Sequence, residues 1–377
     1  MMDLSLSRIA AVVAKEFIQL VRDRLTYAMI IGVPIGQLLL FGYAINSDPK
    51  HLPTAVLVQD QGEFSRSVIG ALQRSQYFDV VSAARSQAEM DRLMRRGDIQ
   101  FAITIPGDFT RRVVRHDDPQ LLVEADASDP TATGAAVAAL SQLPQYALMH
   151  DLKGPLATPP ATGPPFEVVV QRRYNPESIT SYNIVPGLLA TILTLTLVMM
   201  TALAVTRETE RGTMEMLLST PIRPLEVMIG KLTPYVGVGV VQAAIILVLA
   251  RLLFGVPLEG GWLALAIGML LFIVGSLALG FLISTVACNQ LQAMQMSVFY
   301  FLPSILLSGF LFPFRGMPVW AQWLGTILPV THMLRVVRGS VLKGVGLGDQ
   351  LANLGALALF TVVVAGLAVK QYRTTLD

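Results

Sequence analysis

The stretch GWLALAIGMLLFIVGSLALGFLIST (residues 261–285) sets the fold class, because it contains no charged residue from end to end. A helix needs about 20 apolar residues to cross the hydrocarbon core of a bilayer, and this stretch is long enough. Five other stretches along the chain have comparable length and apolar character. The six predicted transmembrane spans are residues 25–45, 182–205, 232–254, 261–285, 293–312 and 350–369.

The composition of the whole chain agrees with this pattern. Of the 377 residues, 53% are hydrophobic and 14% are charged, whereas soluble domains carry about 25% charged residues. The net charge of +2 is too small to indicate a nucleic-acid partner. The single cysteine, Cys288, excludes a disulfide within the chain, and cysteine or histidine pairs with metal-ligand spacing are absent. We therefore expect an integral membrane protein that binds neither nucleic acid nor metal.

The interiors of the predicted spans lack Asp, Glu, Lys and Arg. Arg251 lies near the end of its span, where a long side chain can reach the membrane interface. Carriers driven by protons or sodium usually need ionisable groups within the membrane to bind the coupling ion. The pattern therefore argues against a secondary carrier.

A polar block, residues 46–181, separates the first two spans, and its pattern alternates between strand and helix. This rhythm predicts an inserted α/β domain outside the bilayer. Within it we expect Asp126 and Asp129 to be solvated turn acids rather than ligands of a cation. The predicted strands are residues 53–59, 78–83, 99–105, 121–125 and 166–172, and the predicted helices are residues 64–75, 88–96, 108–115 and 130–152.

Basic residues near the ends of the spans predict the orientation of the chain. With the N-terminus inside, ten of them fall in inner segments and four in the short outer segments. This bias places both termini, including the tail 370–377, in the cytoplasm. The four outer residues make the stretch 313–348 unusually basic for an outer loop; they are Arg315, Arg335, Arg338 and Lys343.

Residues 1–24 form a separate element before the first span. Apolar side chains such as Leu6 and Phe17 share one face of a helical wheel, and basic ones such as Arg8 and Lys15 occupy the opposite face. This pattern is typical of an amphipathic helix on the inner leaflet, and the alternative is a buried packing helix. We expect the span at 25–45 to be a retained anchor, because no small-x-small cleavage site follows it.

The cytoplasmic loop, residues 206–231, contains a charged helical motif between Arg207 and Pro221. Glu208, Arg211 and Glu215 have the spacing that aligns side chains along one face of a helix. Such a short helix can dock into a groove of a partner protein. The alternative is a solvated loop whose charges only enforce topology.

Four segments, in order, carry a family resemblance. The segments are LPTAVLVQDQGEFSRS (52–67), GDIQFAITIPGDF (97–109), ERGTMEMLLSTPIRPLEVMIGKLTPY (210–235), and LSGFLFPFRGMPVWAQWL (307–324) continued by LPVTHMLRVVRGSVLKG (328–344). They resemble type-2 ABC exporter permeases, and more narrowly the bacterial multidrug-efflux branch that has a large periplasmic domain after the first span, here residues 46–181.

The resemblance implies roles for several segments. The connecting helix would be 1–24, and 313–348 would form two short re-entrant helices whose Arg335 and Arg338 face lipid headgroups or the outer domain. The chain has no GxxxxGK[ST] phosphate loop, so we expect it to bind no cofactor, with ATP and magnesium on a partner ATPase. The coupling helix docking on that ATPase would comprise Arg207, Glu208, Glu210, Arg211, Gly212, Thr213, Glu215 and Leu217.

By the same resemblance, the second and fifth spans line a central cleft between two permease subunits. Apolar groups with scattered hydroxyls suit an amphipathic substrate. Small polar residues are also ordinary in helix–helix contacts, and for each single residue packing is the favoured interpretation. The candidate residues of the substrate path are Thr191, Thr194, Leu195, Ser297, Phe299, Leu302 and Ser308.

Together these features predict the permease subunit of an ATP-driven exporter, for multidrug or amphipathic compounds, in a bacterial inner membrane. The expected partners are an ABC ATP-binding subunit, a second copy or a sister permease, membrane lipid, and a periplasmic adaptor with an outer-membrane channel. The alternative is a membrane-anchored sensor or scaffold, in which the outer domain binds an envelope ligand and the cytoplasmic helix docks a signalling enzyme.

Overall fold

The structure is a computed structural model and describes residues 49–152, 164–210 and 224–371. It consists of a sheet-containing unit up to residue 173, here called the α/β unit, and a set of helices from residue 180 onward, here called the helical bundle. The predicted amphipathic helix 1–24, the predicted span 25–45 and most of the tail 370–377 lie outside the described residues.

The α/β unit contains one five-stranded sheet with strand order β2-β1-β3-β4-β5. Strand β1 pairs in parallel with β2 and β3, β4 pairs in parallel with β5, and β3 and β4 run antiparallel. The elements are β1 (Leu52–Val58), α1 (Glu63–Arg74), β2 (Phe78–Ala83), α2 (Gln87–Arg96), β3 (Phe101–Ile105), α3 (Phe109–Arg115), β4 (Gln120–Asp126), α4 (Pro130–Tyr146) and β5 (Glu167–Arg173).

Helices cover both faces of the sheet. Alternate residues of each strand point to opposite faces, so one strand can contribute to two cores. On β1, Leu52 and Val56 join the larger apolar core with side chains from α1, α3 and α4. Their neighbours Ala55 and Leu57 join a smaller core with side chains from α2. Helix α2 is therefore the element on the second face of the sheet.

Within the α/β unit, predicted and observed element boundaries differ most at the end of α4. The prediction extended this helix to Leu152, whereas the structure ends it at Tyr146. The chain continues in turns, in which the Asp151 N–H donates to the Leu148 carbonyl at 3.0 Å. These turns bring Leu148, which is fully buried, into the larger core.

The helical bundle contains seven α-helices within the described residues, together with two 3₁₀ turns at Phe314–Gly316 and Gly348–Gln350. Four of its helices are long and apolar enough to cross a membrane. The α-helices are α5 (Thr180–Glu210), α6 (Pro224–Phe254), α7 (Trp262–Val286), α8 (Gln290–Leu307), α9 (Val319–Ile327), α10 (Pro329–Leu342) and α11 (Leu351–Gln371).

The predicted span 293–312 differs from the structure at both ends. Helix α8 has 18 residues, begins at Gln290 and ends at Leu307, and it is not among the four long apolar helices of the described chain. Asn289 caps its start by accepting the Gln292 N–H at 2.8 Å. Gly309, with φ of +83°, follows its end in a backbone conformation that glycine adopts without strain.

Helices α5 and α7 form the centre of the bundle. In the most apolar stretch of each helix, 56% of the residues are buried in α5 and 61% in α7. The corresponding values are 17% in α6 and 22% in α11. The two central helices approach closely at Gly280, where a Cβ atom would lie 2.5 Å from the Val198 carbonyl oxygen. A small residue at such a crossing lets two helix backbones come together.

The stretch 313–348 forms the two short helices α9 and α10. All residues of α10 are buried except Arg335 and Arg338. The two ring nitrogens of the buried His332 lie within hydrogen-bond distance of Asn353 Oδ1, at 3.1 Å, and of the Thr326 carbonyl oxygen, at 2.8 Å. These bonds join α9, α10 and α11.

Candidate functional site

The last turn of α5 contains three of the predicted docking residues, Arg207, Glu208 and Glu210. They continue the long apolar helix directly and do not belong to a separate short helix. Glu208 forms an ion pair with Lys231 of α6, and Arg207 donates from Nε to Oε1 of Gln290 at 3.3 Å. The end of α5 is therefore tied both to α6 and to the start of α8.

Gln290 is the centre of this cluster. Its backbone N–H donates to Oε1 of Glu210 at 2.8 Å, and its side-chain amide donates to the other carboxylate oxygen. These two bonds lower the pKa of Glu210. The carboxylate satisfies an N–H group that the first turn of a helix leaves without an intrahelical partner, and its charge is favourable at the N-terminus of α8.

The remaining predicted docking residues lie in the segment 211–223, outside the described residues. Their role in docking stays a prediction. They are Arg211, Gly212, Thr213, Glu215 and Leu217.

The predicted substrate-path residues with hydroxyl groups are buried: Thr191, Thr194, Ser297 and Ser308. Each hydroxyl donates to a backbone carbonyl three or four residues earlier, as Thr194 does to Ala190 at 2.7 Å. These hydrogen bonds satisfy the hydroxyls within their own helices, as in ordinary helix packing.

The three apolar members of the same set are more accessible. Leu195 and Leu302 are half-buried, and Phe299 is 44% exposed. The described chain thus presents Phe299 on a surface, while it encloses the hydroxyl-bearing members. Assignment of the substrate path stays a prediction.

A charged contact, here called the junction, joins the α/β unit to the helical bundle. Lys343, just after α10, pairs with Asp126 at the end of β4, and both side chains are buried. The Lys343 ammonium also lies 3.4 Å from the Met94 carbonyl in the last turn of α2 and 5.1 Å from the ring centre of Tyr174. A cation is favourable at the C-terminus of a helix.

Two more ion pairs complete the junction. Arg338 of α10 lies 3.3 Å from Asp129, and Arg96 at the end of α2 lies 2.7 Å from Asp349. The expectation that Asp126 and Asp129 are solvated turn acids was therefore wrong. Both are held by cations of the helical bundle, because the fold brings the basic stretch 313–348 against the α/β unit.

Tyr174 stays neutral beside this contact. Burial, followed by the negative charge of Asp126, raises the pKa of Tyr174 to about 12. Its ring can therefore face the Lys343 ammonium as an uncharged aromatic surface.

A cavity of about 580 Å³ lies at the junction, between the α/β unit and the helical bundle. Its size falls in the range of small-molecule sites, about 300–1,000 Å³. Its wall includes Ser308 and Gly309 at the end of α8 and six basic side chains: Arg95, Arg96, Arg315, Arg335, Arg338 and Lys343.

Comparison with known proteins decides the family. The family model described as "ABC-2 family transporter protein" matches residues 24–370. The chain belongs to the ABC-2 transporter family. It is 31% identical over 380 residues to "Probable multidrug ABC transporter permease YbhS" of Escherichia coli (strain K12), with 99% of each chain covered.

Two more relatives from the same strain of Escherichia coli support this assignment. "Probable multidrug ABC transporter permease YbhR" is 27% identical over 366 residues, which is 97% of this chain and 98% of the relative. "Inner membrane transport permease YhhJ" is 27% identical over 340 residues, with 86% of each chain covered.

As a member of the ABC-2 family, the protein is a membrane-embedded transport permease. Permease components of ABC transporters are not themselves the ATPases, so membership implies an ATP-binding partner and a second permease subunit.

Two parts of these sites escaped sequence reasoning. Gln290 was not selected, although Asn289 and Gln292 around it form a helix-start pattern. The partners of Asp126 and Asp129 were also missed. The signal for them was the surplus of basic residues in 313–348, which were assigned from the sequence to lipid headgroups or to the outer domain.

Proposed function

We propose that this ABC-2 permease exports amphipathic compounds across a bacterial inner membrane, using ATP hydrolysed by a separate subunit. The names of YbhS and YbhR contain the words multidrug ABC transporter permease, and the name of YhhJ places that relative in the inner membrane. The lack of charged residues inside the predicted spans also favours an ATP-driven device over an ion-coupled carrier.

The proposed topology has six spans, with both termini in the cytoplasm and the α/β unit in the periplasm. The excess of basic residues in the segments assigned to the cytoplasm supports this orientation. In this arrangement 211–223 faces the cytoplasm and the junction lies at the periplasmic side.

One observation supports the coupling role most directly. The end of α5, which leads into 211–223, is bonded to α6 through Glu208 and Lys231 and to α8 through Glu210 and Gln290. A displacement of 211–223 by an ATPase would therefore act on three helices together. Two of them, α5 and α8, carry the predicted substrate path.

The substrate would pass along the cleft between two permease subunits, which are either two copies of this chain or this chain and a sister permease. The accessible Phe299, with Leu195 and Leu302, provides the apolar contacts of that path. The hydroxyl-bearing residues Thr191, Thr194, Ser297 and Ser308 are buried and bonded within their own helices, so they would serve the packing of these helices and would not contact the substrate. On the periplasmic side, the α/β unit would contact an adaptor and an outer-membrane channel.

Co-purification from the native host tests the coupling role. The tagged full-length chain should retain a phosphate-loop ATPase in mild detergent. The double variant Arg211→Glu with Glu215→Arg should lose it, because the reversed charges no longer match the docking groove.

The matched control is the double variant Glu63→Arg with Arg111→Glu, which reverses two charges of the α/β unit that the structure exposes. This control should retain the ATPase. If the intact parent chain brings down no ATPase in any mild detergent, the proposal of an ATP-driven exporter fails. If the 211/215 variant and the control retain equal amounts, the assignment of the docking segment fails.

A further inference from the structure

The charges around the junction cavity do not balance. Of its six basic side chains, Arg96, Arg338 and Lys343 are each paired with an aspartate. The other three are Arg95, Arg315 and Arg335, and none of them has a carboxylate within salt-bridge distance among the described residues. Besides the three paired aspartates, the wall contains one more acidic group among the described residues, the exposed Asp98. Three arginines facing one aspartate leave an excess of two positive charges.

Arg338 adds to this positive potential although it has a partner. Its side chain is 13% exposed, and Nη1 alone meets Asp129, at 3.3 Å. Nε and Nη2 are buried without an acceptor among the described residues. A guanidinium that is only partly neutralised keeps much of its positive electrostatic potential. The low dielectric constant of its buried surroundings strengthens that potential.

Arg335 and Arg315 are placed to reach a ligand. Both side chains are exposed, and the Arg335 guanidinium lies 4.9 Å from the ring centre of Phe314. Stacking on a ring orients a guanidinium while its N–H edge stays available for hydrogen bonds. The planar fork of N–H donors fits carboxylate and phosphate oxygens.

From this geometry we propose that the junction cavity is a binding site for an anion of the phosphate class. Arg315 and Arg335 would donate to its oxygens, and Arg338 would supply positive potential from the wall. The volume of about 580 Å³ exceeds a bare phosphate and accommodates a phosphate carried on a larger group. This proposal does not depend on the export function, because binding is measured directly.

Two sources offer the same chemistry: a soluble phosphate and the headgroup of an anionic lipid. The first arm of the test measures thermal unfolding of the full-length protein in non-ionic detergent by tryptophan fluorescence. Sodium phosphate is titrated against sodium chloride at equal ionic strength. The second arm uses native mass spectrometry to compare retention of phosphatidylglycerol with that of neutral phosphatidylcholine.

The variants are chosen for their exposed side chains, so that folding is preserved. Arg315→Gln with Arg335→Gln should weaken phosphate or phosphatidylglycerol binding by about tenfold or more, as expected for loss of charge-assisted hydrogen bonds. The matched control is Arg111→Gln with Arg115→Gln, two exposed arginines on α3, and it should bind like the parent. Asp98→Asn removes the opposing charge and should tighten binding by about threefold, a gain that misfolding cannot produce.

Selective stabilisation by phosphate that is lost in the 315/335 variant would identify a soluble anion as a ligand. Selective retention of phosphatidylglycerol that is lost in the same variant would identify a lipid headgroup. If the 315/335 variant loses both stabilisation by phosphate and retention of phosphatidylglycerol, the site recognises the phosphate group in either molecule. The proposal is overturned if neither ligand binds selectively, or if the 315/335 variant binds both as tightly as the parent and the control.

Discussion

Lys343 and Asp126 form an ion pair across 217 positions of the chain, and each side chain is only 8% exposed. This pair anchors the end of β4 to the segment that follows α10. Removing one member of a buried pair leaves the other charge buried and uncompensated, which costs about 3–5 kcal/mol. The pair therefore determines how firmly the α/β unit is held against the helical bundle.

Asp126→Asn should accordingly destabilise the protein by about 3–5 kcal/mol. The double variant Asp126→Asn with Lys343→Met removes both charges and should recover most of that loss. Thermal unfolding of the full-length protein in detergent measures both effects. The control is Arg96→Gln, which breaks a junction pair whose side chains are 47% and 36% exposed and should cost under about 1 kcal/mol. Equal losses for Asp126→Asn and Arg96→Gln would contradict the prediction.

Asp60 should cause the stability of the α/β unit to fall at acidic pH. Burial raises the pKa of Asp60, but hydrogen bonds from Thr110, Ser65 and Gly62 outweigh burial, and the net pKa is lowered. Thr110 donates from its backbone N–H at 3.0 Å and Ser65 from its hydroxyl at 2.7 Å. A lowered folded-state pKa adds stability above the unfolded-state pKa of about 3.9, and this stability is lost as pH falls through the folded-state value.

Asp60→Asn should therefore lower stability by about 1–2 kcal/mol at pH 7, and its difference from the parent should shrink below about pH 4. Thermal unfolding between pH 3 and pH 7 measures this difference. Asp79→Asn, at an exposed position on β2, is the control and should match the parent throughout. A difference for Asp60→Asn that is constant with pH would show that the carboxylate charge is not the cause.

Gly280→Ala should destabilise the helical bundle by about 1–3 kcal/mol. The added Cβ would lie 2.5 Å from the Val198 carbonyl oxygen and 2.9 Å from Thr201 Cβ, so that α5 and α7 must move apart. Gly366→Ala in α11 is the control, because apart from the backbone of its own helix no described atom lies within 4 Å of its added Cβ. It should be neutral or stabilising by up to about 1 kcal/mol. Equal melting temperatures for the two variants would argue against close packing of α5 on α7.

Gln290→Ala should loosen the end of α5 without unfolding the protein. It removes the side-chain bonds to Arg207 and Glu210, each worth about 1 kcal/mol or less at an exposed site. Hydrogen exchange of the last turn of α5 should rise several-fold. Leu291→Ala, at a side chain that is 62% exposed on the same turn of α8, should leave this exchange unchanged. Similar exchange in both variants would show that Gln290 does not hold the end of α5.

The sequence predicted regular elements well where a local period defines them. The strand Phe78–Ala83 was predicted with the bounds that the structure shows, because alternation of buried and exposed residues extends over its whole length. Element ends were predicted less well. For the predicted span 293–312, the observed helix α8 begins after the cap Asn289 and ends at Leu307, shortly before Gly309, and neither signal alters the apolar average over about 20 residues.

The candidate sites show the same difference between features that the local sequence predicts and contacts that only packing creates. Glu208 was selected from its charge spacing and Glu210 from the family resemblance, and both lie in the last turn of α5, which continues past the predicted end of its span at residue 205. Nothing local indicated that Glu210 would meet Gln290, 80 positions away. Such a pair forms only after α5 and α8 pack side by side.

By itself, the sequence determined that this chain is a membrane protein with an α/β insertion pattern, because hydrophobic length and period are properties of consecutive residues. It also contained the motifs that resemble the ABC-2 family. Only the tertiary structure decided the partners of the charges: Asp126 with Lys343, Asp129 with Arg338, and Glu210 with Gln290. The physical reason is that ion pairs and hydrogen bonds depend on distance in space, and that distance is fixed by packing the sheet against the helices and the helices against one another.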